Sequence, residues 1–233
     1  MSTKIPLILI PGLLCDEALW EYPMKKLDAI ADCTVTDHHT KYETIDEIAD
    51  AIADAAPSRF ALAGLSMGGY IALEICRKFS DRVSRLALLD TAPGADTPEQ
   101  TSRRKDFIAL CQQGKFDEVV ENLFQVFVHP DRQNDPVLRN QVIDMVNRVG
   151  AKIFVRQQHA IMSRINQTPH LHEITCPTIV ICGHEDQLTP LKLSQEIANH
   201  IPDSKLFSIS NCGHLSTMER PEEVSAIMQQ WLL

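Results

Sequence analysis

The 233-residue sequence predicts an α/β fold, a doubly wound parallel sheet of about six strands with helices on both faces. Three observations point there. Short apolar runs recur along the chain, each followed by a turn and then by a stretch whose apolar residues fall three to four apart. Most of these runs are nearly continuous in apolar residues, as expected when a parallel sheet is covered on both sides. The length, with 44% hydrophobic and 23% charged residues, suits one well-buried core and leaves no room for a large disordered region.

The elements follow in order. Ile5 to Ile10 reads as the first strand and Asp16 to Ala31 as the helix that returns from it. Cys33 to Asp37 is the second strand, followed by a helix over Thr44 to Ala56. Phe60 to Leu65 and Met67 to Phe79 form the next strand and helix, and Ser84 to Leu89 the fourth strand. From Gly94 to His172 the alternation stops, and only helical periodicity remains. Phe107 to Cys111, Val119 to Phe127, Val137 to Val149 and Ile153 to Ile165 look like four amphipathic helices. The alternation then resumes with strand Thr178 to Cys182, helix Leu191 to His200, strand Lys205 to Ile209 and helix Glu222 to Leu232, for which Pro221 is a first-turn signal. The predicted organisation is a core of residues 1–93 and 173–233 with a helical lid, 94–172, inserted between the fourth and fifth strands. Such an insertion would sit above the carboxyl ends of the sheet, where open α/β sheets bind ligands.

A formal net charge of -9 argues against nucleic acid, whose binding needs Lys and Arg to neutralise phosphates, and favours a small-molecule substrate. The seven cysteines form no C-x-x-C pair and lie in apolar runs, which suggests free buried thiols in a reducing compartment. The start, Lys4 then Ile5 to Leu14 and Cys15, superficially resembles a leader peptide. Pro6 and Pro11 interrupt it and Leu14 rather than a small residue precedes Cys15, so no processing is expected there. No apolar stretch reaches membrane-spanning length. A cytoplasmic monomer or homodimer is the expectation.

The chemistry starts at Gly64-Leu65-Ser66-Met67-Gly68-Gly69, which closes a strand and opens a helix, the context that gives G-x-S-x-G its meaning. Such a turn strains the serine backbone, and neighbours without side chains let strand and helix approach. A serine hydroxyl is a weak nucleophile at neutral pH and needs a base within reach, itself oriented by an acceptor. His214, after the last strand within Asn211-Cys212-Gly213-His214, is the candidate base. Asp186, within Gly183-His184-Glu185-Asp186, is the preferred orienting acid. Ser, Asp and His then follow the order expected for an elbow serine. Asp90, at the end of the fourth strand, and Glu185 are alternatives for the acid. Acyl transfer also needs donors for a developing oxyanion. These are expected from the backbone amide of Met67 and, in the loop Pro11-Gly12-Leu13-Leu14, that of Leu13. Leu14, Trp20 and Phe124 are candidate substrate contacts, with Phe107, Phe127, Met145 and Met162 as further lining. The run Arg103-Arg104-Lys105 reads first as a solvated helix face, and second as an attractor for a carboxylate or a coenzyme A phosphate.

Together the elbow, the Gly183-x-x-Asp186 turn, the Gly213-His214 pair and the Pro11-Gly12 loop resemble the α/β-hydrolase superfamily, in particular its small lidded serine esterases, across essentially the whole chain. Two departures stand out. The family's His-Gly after the first strand is Pro11-Gly12 here. The chain also begins almost at the strand carrying that loop, so the two leading antiparallel strands common in the family are expected to be missing, leaving an all-parallel sheet. Dehalogenases and epoxide hydrolases of this fold carry aspartate at the elbow, so Ser66 argues against them. The resemblance implies hydrolysis of a small or medium carboxylic ester through an acyl-enzyme, without a metal or organic cofactor. Thioester or C–C bond hydrolysis with the same triad, a hydroxynitrile lyase, and a non-catalytic small-ligand receptor are the alternatives.

Overall fold

The computed structural model describes residues 4–233. Residues 1–3 of the predicted core segment lie outside the described residues. Six strands, β1 (Ile5–Ile10), β2 (Ala31–Val35), β3 (Phe60–Leu65), β4 (Val83–Leu89), β5 (Thr178–Gly183) and β6 (Ser204–Ile209), form one sheet in the order β2-β1-β3-β4-β5-β6, and every pairing is parallel. Strands β3 and β5 are buried at every position, which is why their sequences are unbroken in apolar and small residues. The edge strands β2 and β6 have only partial cover and carry polar residues at exposed positions.

Helices α1 (Glu21–Leu27), α2 (Ile45–Ala55), α3 (Met67–Phe79), α7 (Leu191–His200) and, after the single turn α8 (Ser216–Glu219), α9 (Pro221–Leu232) cover the sheet, α2 packing against α3 and α1 against α9. In α2, Ile45, Ile48, Ala49, Ile52 and Ala53 make the buried stripe, and Thr44 caps the first turn by accepting from the Glu47 amide.

The predicted single helix from Asp16 to Ala31 is corrected by the structure. Asp16 caps a short 3-10 turn over Glu17–Trp20, α1 begins only at Glu21, and the chain has already entered β2 at Ala31. The physical reason is Pro23. It has no amide proton to donate to a carbonyl four residues back, so it is tolerated in the first turn of a new helix and not inside a continuous one.

Between β4 and β5 lies the helical insertion: α4 (Pro98–Gln112), α5 (Phe116–Phe127), α6 (Pro136–Met162) and a 3-10 segment over Thr168–Glu173. Helix α4 is longer than the predicted Phe107 to Cys111 because a capping box between Thr97 and Gln100, with Pro98 in the first turn, starts it earlier. The two predicted helices, Val137 to Val149 and Ile153 to Ile165, correspond to the two halves of α6, which Gly150 divides with a backbone (φ 76°, ψ 169°) that is not helical.

The chain order reverses at β1, which pairs with β2 on one side and β3 on the other. The connections after β1 and β3 therefore leave in opposite directions, opening a crevice at the carboxyl edge between them. The loop at Gly12 and the turn at Ser66 sit there.

Candidate active site

Ser66 joins β3 to α3 with φ 56° and ψ -116°, a conformation a side-chain-bearing residue adopts only when its surroundings hold it. They do so through hydrogen bonds. Its amide donates to Leu89 O on β4 at 2.9 Å, and its carbonyl accepts from the Gly69 amide at 2.9 Å and the Thr91 hydroxyl at 2.8 Å. A Cβ on Gly64 would fall on the Gly68 backbone, and one on Gly68 on the Ile10 carbonyl of β1, so only glycine lets strand and helix close at this turn. The four non-glycine residues with positive φ among the described residues are Leu14, Ser66, Asp90 and Asn211. Each follows the end of a strand at the same edge of the sheet, so backbone strain is concentrated where the candidate residues meet.

His214 brings its Nε2 to 2.8 Å from Ser66 Oγ and its Nδ1 to 2.8 Å from Asp186 Oδ2. A proton on Nδ1, donated to Asp186, leaves Nε2 free to accept the serine proton. The His214 and Leu215 amides both donate to Phe127 O at the end of α5, and the Phe127 ring stacks on the imidazole with centroids 5.9 Å apart. Burial works against the charged imidazole, but the Asp186 carboxylate outweighs it by charge and hydrogen bond and holds His214 above its ordinary value.

Asp186 is 4% exposed. Its Oδ1 accepts from the Leu188 and Thr189 amides at 2.8 and 3.0 Å, and its Oδ2 accepts from the Thr189 hydroxyl at 2.6 Å as well as from His214. Burial favours the protonated acid, yet the His214 charge and these hydrogen bonds bring Asp186 below the usual carboxylate value.

The two alternatives for the acid stand elsewhere. Asp90 is fully buried, accepts from the Gly183 amide at 2.8 Å and from the Ser216 hydroxyl, and makes no hydrogen bond to the imidazole. Burial and the Asp186 charge push it up to about 8. Glu185 accepts from the Cys212 amide at 3.1 Å and also does not reach His214. Asp90, Cys182 and Asp186 are a grouping dense enough to share an ion, but both carboxylates are engaged by these donors, which makes the cluster a hydrogen-bond junction.

The Leu13 and Met67 amides donate to no acceptor among the described residues. Gly12 brings the loop against the elbow, since a Cβ there would lie 3.3 Å from Ser66 Cβ. The neighbouring Leu14 amide is held by Gln157 Oε1 on α6 at 3.0 Å.

Ser66 and His214 open into a cavity of about 150 Å³, walled by Leu13 and Tyr70 from the core and by Phe107, Leu123, Phe127 and Ile161 from the insertion. Leu14, Trp20 and Phe124 do not line it. All three are buried in the hydrophobic core, because the inward stripe of α5 at Phe124 faces Leu14 and α6, while Leu123 and Phe127 beside it face the cavity. Met145 is also core. Sequence reasoning missed Thr189, Gln157 and Arg164. The first had a local signal, a hydroxyl three residues after an aspartate; the other two are single polar residues within an ordinary helical pattern.

All seven cysteines are free, four of them buried and three half-buried. Among the described residues, no helix is long and apolar enough to cross a membrane.

Comparison with known proteins agrees with the fold. The alpha/beta hydrolase fold family model matches residues 5–221. Pimeloyl-acyl-carrier-protein methyl ester esterase of Vibrio vulnificus is 22% identical over 230 residues, covering 93% of this chain and 89% of that protein. Among solved structures, a thermophilic esterase from Thermogutta terrifontis superposes with a TM-score of 0.90 at 25% identity, covering 100% of this chain and 90% of its own. The enol-lactonase of Burkholderia xenovorans superposes with a TM-score of 0.89 at 20% identity, covering 99% and 92%.

Proposed function

Because the chain belongs to the α/β-hydrolase family, we propose that it is a serine hydrolase that cleaves small or medium carboxylic esters through an acyl-enzyme. The observation that carries this is the continuous chain of contacts from Ser66 Oγ through His214 to Asp186 at the floor of a cavity. His214 Nε2 takes the hydroxyl proton as Ser66 Oγ attacks the ester carbonyl, and Asp186 stabilises the imidazolium. The amides of Leu13 and Met67 donate to the oxyanion of the tetrahedral intermediate. As the intermediate collapses, His214 returns the proton to the departing alcohol. Water activated by the same histidine then releases the acid and restores Ser66. Residues 94–172 act as a lid that supplies the acyl pocket and excludes bulk water. Ester cleavage is favoured by the esterases from Vibrio vulnificus and Thermogutta terrifontis. The free thiols favour residence in the reducing cytoplasm.

Ser66→Ala tests this reading. Turnover of p-nitrophenyl butyrate should fall by about 10⁴-fold or more, and a fluorophosphonate that labels the parent protein at Ser66 should leave the variant unlabelled. Retention of parental turnover by Ser66→Ala would end the assignment.

A further inference from the structure

The cavity over Ser66 is basic although the chain as a whole carries a formal charge of -9. Arg103, Arg104 and Arg164 line it, and no carboxylate does. Two of these arginines share one anion: Arg104 Nε lies 2.7 Å from Asp96 Oδ2, and Arg164 Nη1 lies 2.6 Å from Asp96 Oδ1. Two guanidinium groups on a single carboxylate leave one positive charge uncompensated. That surplus is sheltered, with the Arg164 side chain only 6% exposed and its guanidinium 4.3 Å above the Tyr70 ring, and Arg104 further bonded to Gln158 Oε1. The Gly94 and Ile161 carbonyls accept from Arg164 at 2.9 and 3.1 Å and satisfy part of its donor set, but neither supplies a negative charge to balance it. Arg103, on the same turn of α4, is exposed at the mouth and makes no ion pair among the described residues, so it adds a second free positive charge. Holding the segment before α4 to the one after α6 would need only Arg164 on Asp96. It would need nothing at position 103.

Resting on the ester-hydrolase reading above, we propose that the acyl group taken by this site carries a free carboxylate. The substrate is a short monoester of a dicarboxylic acid, with its ester carbonyl at Ser66 and its far carboxylate on Arg103 and the surplus charge of the Arg104 and Arg164 pair. Guanidinium groups suit this role because their planar donors match a carboxylate in bidentate geometry. Phe107, Leu123 and Ile161 flank the intervening methylenes. A cavity near 150 Å³ is the size that holds a benzene ring, which limits the acyl chain to about four to six carbons. In the reaction, Ser66 Oγ bonds to the acyl carbon while the alcohol leaves with the proton from His214. Water then cleaves the acyl-enzyme, giving the dicarboxylate and the free serine.

The test compares monoethyl glutarate with ethyl pentanoate, in which a methyl group replaces the far carboxylate, by titrating the acid released, and measures glutarate binding by calorimetry. The parent enzyme should prefer monoethyl glutarate at least tenfold in kcat/KM. Arg103→Glu, at an exposed position, should reduce that preference at least tenfold, mainly through KM, and should weaken glutarate binding. Turnover of both esters without preference would overturn the carboxylate assignment and leave the esterase reading standing. Preference for acetoxyacetate, whose carboxylate is on the alcohol side, over monoethyl glutarate would overturn the acyl assignment. Glutarate binding that weakens in Arg103→Glu, with neither ester cleaved, would support the anion site and sink the hydrolase reading. Neither binding nor cleavage would sink both.

Discussion

At the scale of single residues, the arrangement turns on two buried carboxyl groups in one junction. Burial and the charge of Asp186 push Asp90 up to about 8, whereas His214 and Thr189 bring Asp186 below the usual carboxylate value. At neutral pH one is therefore ionised and the other protonated, a separation that assigns them different work. An amide at that position can still accept from the Gly183 amide through its Oδ1, and its Nδ2 can donate to Ser216 Oγ once the hydroxyl turns from donor to acceptor. Asp90→Asn should accordingly stay within a few fold of parental kcat. Asp186→Asn should lose about 10⁴-fold, because an amide cannot hold the imidazole in the tautomer that leaves Nε2 free. Equal losses in the two variants would refute the assignment of Asp186 as the orienting acid. The histidine must be neutral to accept the serine proton, and its folded value is raised. The acid limb of kcat/KM should therefore lie above the ordinary imidazole value of 6.5, with activity lost as pH falls through it. The proposed triad of Ser66, His214 and Asp186 can be picked out in the sequence because each follows a strand at a turn of recognisable composition. Position along the chain favours Asp186 over Asp90 without deciding between them, since both close strands. What separates them is which carboxylate the His214 loop meets across space.

At the scale of elements, the central strands are legible to within one residue, because a sheet buried on both faces leaves unbroken apolar runs at Phe60–Leu65 and Thr178–Gly183, whereas the half-exposed edge strand β2 runs Ala31–Val35 and not, as predicted, Cys33 to Asp37. Helices are harder where their limits depend on one residue. Pro23 divides what periodicity joins, and the Thr97 capping box lengthens α4 beyond its apolar stripe. Helix α6 shows what periodicity cannot convey. It carries Gln157, wholly buried, whose Oε1 accepts from the Leu14 amide beside the proposed oxyanion donor Leu13. Removing that acceptor strands a buried amide, at a cost of about 1–3 kcal/mol. Gln157→Leu should lower stability by that amount in urea unfolding and should reduce kcat more than it raises KM, since the loop it holds serves the transition state. A variant that loses stability but keeps parental kcat would show that Gln157 only braces the fold.

At the scale of the whole molecule, the insertion is held unevenly. Helix α6 and its end are tied to the core by Arg148 on Asp16 at 2.7 and 3.1 Å, Arg156 on Thr40 O at 2.8 Å, Gln157 on Leu14, and Ser163 Oγ, which accepts from the Ile45 amide at 3.1 Å. The end of α5 is fixed by Phe127 O and by Glu219, which accepts from the His129 amide at 2.8 Å. Helix α4 packs chiefly on α5 and α6, and the turn that joins it to α5 passes through exposed Gly114 at φ 76°. On the proposed lid role, the part expected to open is α4 with the start of α5, which carries Phe107 and the cavity arginines 103 and 104, while α6 is expected to stay with the core. Segments with few ties to the core open at low free energy, and hydrogen exchange reads that directly. Amides of 98–116 should exchange at least tenfold faster than those of 151–162 in the free protein. Covalent phosphonylation of Ser66 should slow the former and leave the latter unchanged. Uniform protection across the insertion, unaffected by the phosphonate, would show that the helices form a fixed roof and that substrate enters by another route.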